Sequence, residues 1–204
     1  MSTRKLTVVT AGLAQPSSTR LLADRLATAT VDALTQRGHE STVEVVELRE
    51  LAHDITDQLL TGFPGVRLRA AVEGVSAADG LIAVSPIFTA SFSGLFKSFF
   101  DGLDADLLAG KPVLIGATGG TERHSLALDH ALRPMFSYLH ATIVPTGVYA
   151  ATSDWGSREW AGRLNARIAR AGGELAALLD TGRPATMVDP FDEPTPLEEL
   201  LHNP

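Results

Sequence analysis

The chain of 204 residues contains no cysteine. That excludes a disulfide scaffold, thiolate zinc or iron–sulfur centres, and a cysteine nucleophile. Aromatic residues are few, at 6%, and no apolar run reaches the ~18 residues that a membrane-spanning helix needs. The N-terminal stretch MSTRKLTVVTAG passes straight into a strand-like run, without the long apolar segment of a signal peptide. The expectation is a cytoplasmic protein that does not engage a membrane. Positive charge is also short: 17 Lys and Arg stand against 24 Asp and Glu, a net charge of −7. That balance disfavours broad nucleic-acid binding. Six histidines are present (His39, His53, His124, His130, His140, His202). None forms HExxH or stands with carboxylates at ligand spacing, so no metal site is expected. A nucleophile elbow, GxSxG, is missing as well; Ser93 precedes Gly94, but position 91 is Ser.

What is present is an ordinary globular composition, 45% hydrophobic and 20% charged, of a length that suits one domain. Short apolar runs alternate with helical patterns. The runs are Leu6–Ala11, Thr42–Leu48, Gly80–Ser85, Pro112–Ala117 and Thr142–Tyr149. Four are apolar nearly throughout, as strands covered on both faces are. In the second, Val43 and Val45 alternate with Glu44 and Glu47, which places it at a sheet edge. The helical stretches are Ser18–Arg37, with Leu22, Leu26, Ala29 and Ala33 on one stripe and Gly38 closing it, then Val66–Ala78, Ser93–Leu108, His124–His140 and Trp155–Asp180. The last carries Trp160, Leu164, Ile168, Leu175 and Leu178 on one stripe. Its Gly172-Gly173 pair reads as a bend, a close contact or a break between two helices. The alternation argues for an α/β fold: a five-stranded parallel sheet with helices on both faces. Residues 181–204 differ, with five prolines and five acidic residues. They read as an extended arm, with a short helix over Leu197–His202.

Ligands of an open parallel sheet bind beyond the carboxyl ends of its strands. Three loops leave such ends. In Gly12–Arg20, a glycine ends the strand, Pro16 stiffens the turn, and Ser17, Ser18 and Thr19 meet the helix start, with Arg20 beside them. Free N–H groups, hydroxyls and the positive helix end make an anion cradle there; the same run also reads as a plain N-cap. The loop is neither GxxxxGK[ST] nor GxGxxG. In the second loop, Pro86 turns the chain outward after the third strand. Ile87, Phe88, Thr89 and Ala90 then offer backbone groups to a flat heterocycle. Ser93 caps the next helix, Lys97 and Asp101 form an i,i+4 pair, and Phe96, Phe99 and Phe100 are core or oligomer contacts. In the third loop, Thr118, Gly119, Gly120 and Thr121 allow a planar ring close to the backbone, with Glu122, Arg123 and His124 at the rim. These residues define a pocket for an anion and a planar group.

Taken together in this order, the three loops resemble the NAD(P)H-dependent FMN reductase family, which has a flavodoxin-like fold. The likeness extends to about Asp180 and is greatest to the actinobacterial type that partners luciferase-like monooxygenases. Gly12 and Ser18 match the family's first loop, while Gln15 stands where Arg is common. The motif P-x-Y-N-x-S-x-x-G-x-L-K-x-x-x-D is matched by Pro86, Ser91, Gly94, Lys97 and Asp101. Phe88 replaces its Tyr, Thr89 its Asn and Phe96 its Leu. Gly119-Gly120 matches the loop beside the flavin ring. The resemblance implies an FMN reductase domain over residues 1–180 followed by the arm 181–204. It implies FMN held by Gly12, Gln15, Ser17, Ser18, Thr19 and Arg20 at the phosphate end, by Pro86, Ile87, Phe88 and Thr89 at the ring edge, and by Thr118, Gly119, Gly120 and His124. Hydride would pass from NADPH or NADH to FMN with no catalytic side chain. The resemblance also implies a homodimer or homotetramer, with Leu95–Leu103 and the arm as candidate contacts, and delivery of reduced flavin to a flavin-dependent monooxygenase. Two alternatives stay open: a quinone or azo-dye reductase on the same fold, and a non-enzymatic flavodoxin-type electron carrier.

Overall fold

A computed structural model describes residues 3–104, 106–156 and 158–181 of the chain. The strands are β1 (Thr3–Thr10), β2 (Glu40–Glu47), β3 (Gly80–Phe88), β4 (Ser91–Phe92), β5 (Pro112–Gly119), β6 (Thr142–Ile143) and β7 (Val148–Ala151). The helices are α1 (Ser18–Gln36), α2 (Ala52–Thr61), α3 (Val66–Ala77), α4 (Gly94–Asp101), α5 (Arg133–Tyr138) and α6 (Arg158–Asp180). The sheet runs β2-β1-β3-β5-β6, with β7 continuing the last position beside β5. These ladders are parallel, and β4 alone pairs antiparallel, with β3. This is the flavodoxin-like order, in which the direction of strand addition reverses between β1 and β3.

Each face of the sheet carries its own core. Leu6 and Val8 of β1, Ile82 and Val84 of β3 and Leu114 of β5 pack under α1 and α6. Val9, Leu81, Ala83, Val113 and Ile115 pack under α2, α3, α4 and α5. Gly172 lets α1 and α6 approach closely: a Cβ there would lie 2.8 Å from the Ala29 carbonyl carbon and the Thr30 nitrogen. The glycine pair therefore marks a close contact, and α6 runs through it unbroken. On α1 the buried stripe is Thr19, Leu22, Ala23, Leu26, Ala27, Thr30 and Leu34; Ala29 and Ala33 lie at its margin.

Several boundaries differ from the sequence reading. The fifth strand is interrupted over residues 144–147, and its pairing offset with β5 grows by two residues between β6 and β7. Pro145 has no N–H for a ladder, and the Thr146 amide donates instead to the Glu174 carboxylate at 2.8 Å. Pro86 does not end β3, which continues in register with β5 (Pro86 opposite Thr118). On its other side β1 has already ended, its last pair being Thr10 with Val84, so the missing N–H leaves no ladder bond unmade. Val43 of β2 is 41% exposed and Val46 is buried, consistent with an edge strand but with a different inward residue. The helix expected over 93–108 stops at Asp101, where the Gly102 amide folds back to Phe99. The stretch 124–140 divides into a 3₁₀ turn at Glu122–His124, a π turn at Leu128–Leu132 and α5. Pro134 sits within it and supplies no N–H to the preceding turn. The structure adds helix α2, entered through a 3₁₀ turn at Leu48–Leu51; its signals are Leu48, Leu51 and Ile55 at helical spacing and Gly62 at φ +79° just past its end. Phe96, Phe99 and Phe100 are core residues, at most 2% exposed. Trp160 and the arm beyond Thr181, with its expected short helix, lie outside the described residues or side chains. Among the described residues no helix is long and apolar enough to cross a membrane.

Candidate active site at the carboxyl edge of the sheet

The three loops singled out in the sequence meet. They surround a cleft of about 300 Å³ lined by Leu13, Ala14 and Pro16 to Thr19 of the first loop, by Pro86, Ile87 and Phe88, and by Thr118, Gly119 and Gly120, with Thr152 added from beyond β7. It opens at the carboxyl end of the sheet, where the fold reverses its strand order. A larger open hollow on the far edge, beside Pro145 and Arg167, contains none of these loops.

The floor at one end is the start of α1. Ser17 is its N-cap, its hydroxyl accepting from the Arg20 amide at 3.2 Å. The first turn contains no acidic residue, so the positive end of a 19-residue helix faces the cleft without a neutralising side chain. The Ser18 and Thr19 amides, in the first turn, have no acceptor within the helix. Gly12 is required by contact: a Cβ would sit 2.1 Å from the Ser17 hydroxyl. Beneath, the buried hydroxyls of Thr19 and Thr118 meet at 2.8 Å. They tie the first loop to the third across the sheet.

The opposite wall is built from β3 and β5. Beyond Phe88 the chain reverses in a two-residue turn, Thr89–Ala90, pairing Phe88 with Ser91 and Ile87 with Phe92. Both turn residues have positive φ, +49° and +67°, the signature of a type I′ hairpin and a costly one for residues with a Cβ. The Ser85 hydroxyl anchors the base of this hairpin, donating to the Pro86 carbonyl at 2.9 Å and accepting from the Ser93 amide at 3.0 Å. At the end of β5, Gly119 lies against Tyr149: a Cβ there would be 2.2 Å from the phenol oxygen. That phenol donates to the Thr121 carbonyl at 2.6 Å. Burial, with the charges of Asp154 and Glu122, pushes the Tyr149 phenol above its ordinary range and keeps it a donor. At Gly120 a Cβ would meet open space, so the backbone there is accessible from the cleft.

Nine of the sequence-selected residues line the cleft: Ser17, Ser18, Thr19, Pro86, Ile87, Phe88, Thr118, Gly119 and Gly120. Gly12 supports it from below. Arg20 is committed elsewhere, pairing with Asp24 at 2.8 Å and with Glu47; its hydrogen bond to Asp24 outweighs burial and raises its pKa. Gln15 is exposed, Thr89 occupies the exposed hairpin tip, and His124 lies in the 3₁₀ turn past Gly120; none of the three lines the cleft. Leu13, Ala14, Pro16 and Thr152 line it as well, beyond the residues that the sequence points to. The first three belong to the first loop, and Thr152 follows the fifth strand.

The donor set fits a phosphate joined to a flat ring. Unpaired amides and the hydroxyls of Ser17 and Ser18 suit the anion, while Gly120 and the apolar Leu13, Pro86 and Phe88 suit the ring. Comparisons with known proteins agree. A family model described as NADPH-dependent FMN reductase matches residues 4–156. The chain is 37% identical over 182 residues to an FMN reductase (NADPH) of Pseudomonas aeruginosa, covering 88% of this chain and 94% of that one. It is 34% identical over 178 residues to an NADH-dependent FMN reductase of Pseudomonas fluorescens, covering 87% and 92%. A solved oxidoreductase structure from Corynebacterium diphtheriae superposes with a TM-score of 0.84 at 49% identity, covering 87% of this chain and 97% of that one. The three-loop cleft thus sits within a match that spans most of the sequence, and the chain belongs to the NADPH-dependent FMN reductase family.

Proposed function

We propose that the cleft seats FMN with its phosphate at the start of α1 and its ring across Gly119-Gly120, and that the protein reduces it with NADPH or NADH. The observation that carries this reading is the convergence of three loops on one cleft whose two ends differ in chemistry, anion-binding at α1 and flat and apolar at β3 and β5. When bound, FMN supplies the redox chemistry by accepting hydride from the nicotinamide. The protein supplies orientation. Ser17, Ser18 and Thr19 would hold the FMN phosphate, Pro86 to Phe88 the ring edge, and amides around Thr118–Gly120 would point donors at the ring, where they favour added negative charge. Arg20 acts from outside, its pairs with Asp24 and Glu47 holding the first turn of α1 in place. Reaction in the cytoplasm, and release of reduced flavin to a separate monooxygenase, belong to the same reading; the open mouth beside the exposed Leu13 and Phe88 supports release. Assembly into a homodimer or homotetramer is supported by the exposed apolar group Leu60, Phe63 and Val66, since the phenylalanines of α4 are spent on the core.

Ser18→Ala tests the site. Losing a hydrogen bond to an anion should weaken FMN binding about tenfold, while turnover at saturating FMN changes less than about twofold. Equal FMN affinity in variant and parent rejects the anchor. Oxidation of NADPH by the purified protein with added FMN alone separates a reductase from an electron carrier.

A further inference from the structure

NADPH and NADH differ by one phosphate on the adenosine ribose, and relatives named for each nucleotide match this chain. Family membership therefore leaves the preference open. A protein of net charge −7 needs a local cation to favour the more highly charged nucleotide. The three cleft loops hold two arginines, Arg20 and Arg123. Arg20 is bound to Asp24 and Glu47. Arg123 is exposed, three residues beyond the cleft-lining Gly120, and its guanidinium makes no hydrogen bond or ion pair among the described residues.

The backbone carrying Arg123 is braced. The Thr121 hydroxyl accepts from the Arg123 amide at 3.4 Å, and the Ser125 amide closes on the Glu122 carbonyl at 3.1 Å. The Thr121 carbonyl is held by the Tyr149 phenol. An uncommitted guanidinium on a braced turn that leaves the cleft three residues after Gly120 has the planar fork that phosphate recognition uses. Glu122 beside it is exposed and repels the same group, which makes the arginine the deciding charge.

We infer that Arg123 binds the 2′-phosphate of NADPH and gives the protein its preference for NADPH over NADH. The inference rests on the FMN reductase reading, and two measurements on Arg123→Gln keep the two separable. In the first, kcat/KM is compared for both nucleotides. NADPH should fall at least about tenfold, the value of a charge-assisted bond, and NADH should stay within about twofold. In the second, calorimetry on the protein without nicotinamide compares 2′,5′-ADP with 5′-AMP. The parent should bind 2′,5′-ADP at least about tenfold more tightly, and the variant should lose that difference. Equal losses for NADPH and NADH, or a parent that binds both adenosine probes alike, overturns the assignment. If neither nucleotide reduces FMN, the functional reading fails, while the adenosine probes still report on Arg123.

Discussion

Gly119→Ala, alone and combined with Tyr149→Phe, gives the most direct test of how the flat end of the cleft is built. A Cβ at 119 would lie 2.2 Å from the Tyr149 oxygen and 3.2 Å from the ring carbon that bears it. The first separation is far inside contact, so either the phenol or the loop must move. Moving the phenol also breaks its 2.6 Å bond to the Thr121 carbonyl. Overpacking of this kind costs about 1–3 kcal/mol, and the lost hydrogen bond about 1 kcal/mol. Gly119→Ala should therefore destabilise the protein by about 2–4 kcal/mol, and Tyr149→Phe by about 1 kcal/mol. Deleting the hydroxyl removes the severe contact and leaves the ring carbon at 3.2 Å, which a shift of a few tenths of an ångström relieves. In the Phe background the alanine should then cost no more than about 1 kcal/mol, a coupling of about 1–3 kcal/mol. Urea denaturation of the four proteins measures the cycle. FMN titration of the same set should show the largest loss of affinity for Gly119→Ala alone. Strict additivity in stability would mean that the phenol does not set the position of the loop, and the account of Tyr149 would be wrong.

Three further outcomes follow from separate features. Thr89→Asn with Ala90→Gly gives the hairpin tip residues that tolerate φ of +49° and +67° and should raise stability by about 1–2 kcal/mol; an unchanged Tm refutes strain at that turn. Lys111 is fully buried, its ammonium donating to the Ser76 and Ala78 carbonyls at 3.0 and 2.5 Å near the end of α3. Lys111→Met should cost about 3 kcal/mol by leaving those carbonyls without the donor, and a loss below about 1 kcal/mol in urea would count against this cap. Burial pushes the Glu174 carboxyl up, but the Thr146 hydroxyl and amide and the Arg170 guanidinium outweigh it and hold the carboxyl below its ordinary 4.5. A lowered folded value means that its contribution is present above the ordinary pKa and is lost as pH falls through the folded one. Glu174→Gln should therefore lower stability at pH 7 by about 1 kcal/mol and match the parent more closely as the pH falls through the folded pKa of Glu174; a gap that widens on acidification refutes it.

The architecture was legible because its signals are local. Strands buried on both faces must be apolar throughout, and helices between them must carry a stripe, so composition along the chain alone exposes an alternating parallel fold. The three loops were legible for a related reason: Gly12, the Ser17–Thr19 run and Gly119-Gly120 stand where strands end, and an open parallel sheet binds ligands only there. Other features depend on what lies across space. Nothing near Pro86 in sequence reveals that β1 ends beside it and lets β3 continue. The Gly172-Gly173 pair fits a bend, a break or a close contact until the backbone of α1 at Ala29 is seen against it. That Arg20 stands next to the anion cradle is plain from its position in the chain, but its pairing with Glu47 is not, because Glu47 arrives from the end of β2. Gly119 owes its necessity to a phenol about 30 residues away, and Thr152 joins the cleft only because β7 lies beside β5. Periodicity and turn chemistry are written in neighbouring residues, whereas contacts between distant segments exist only once the sheet has set their distance.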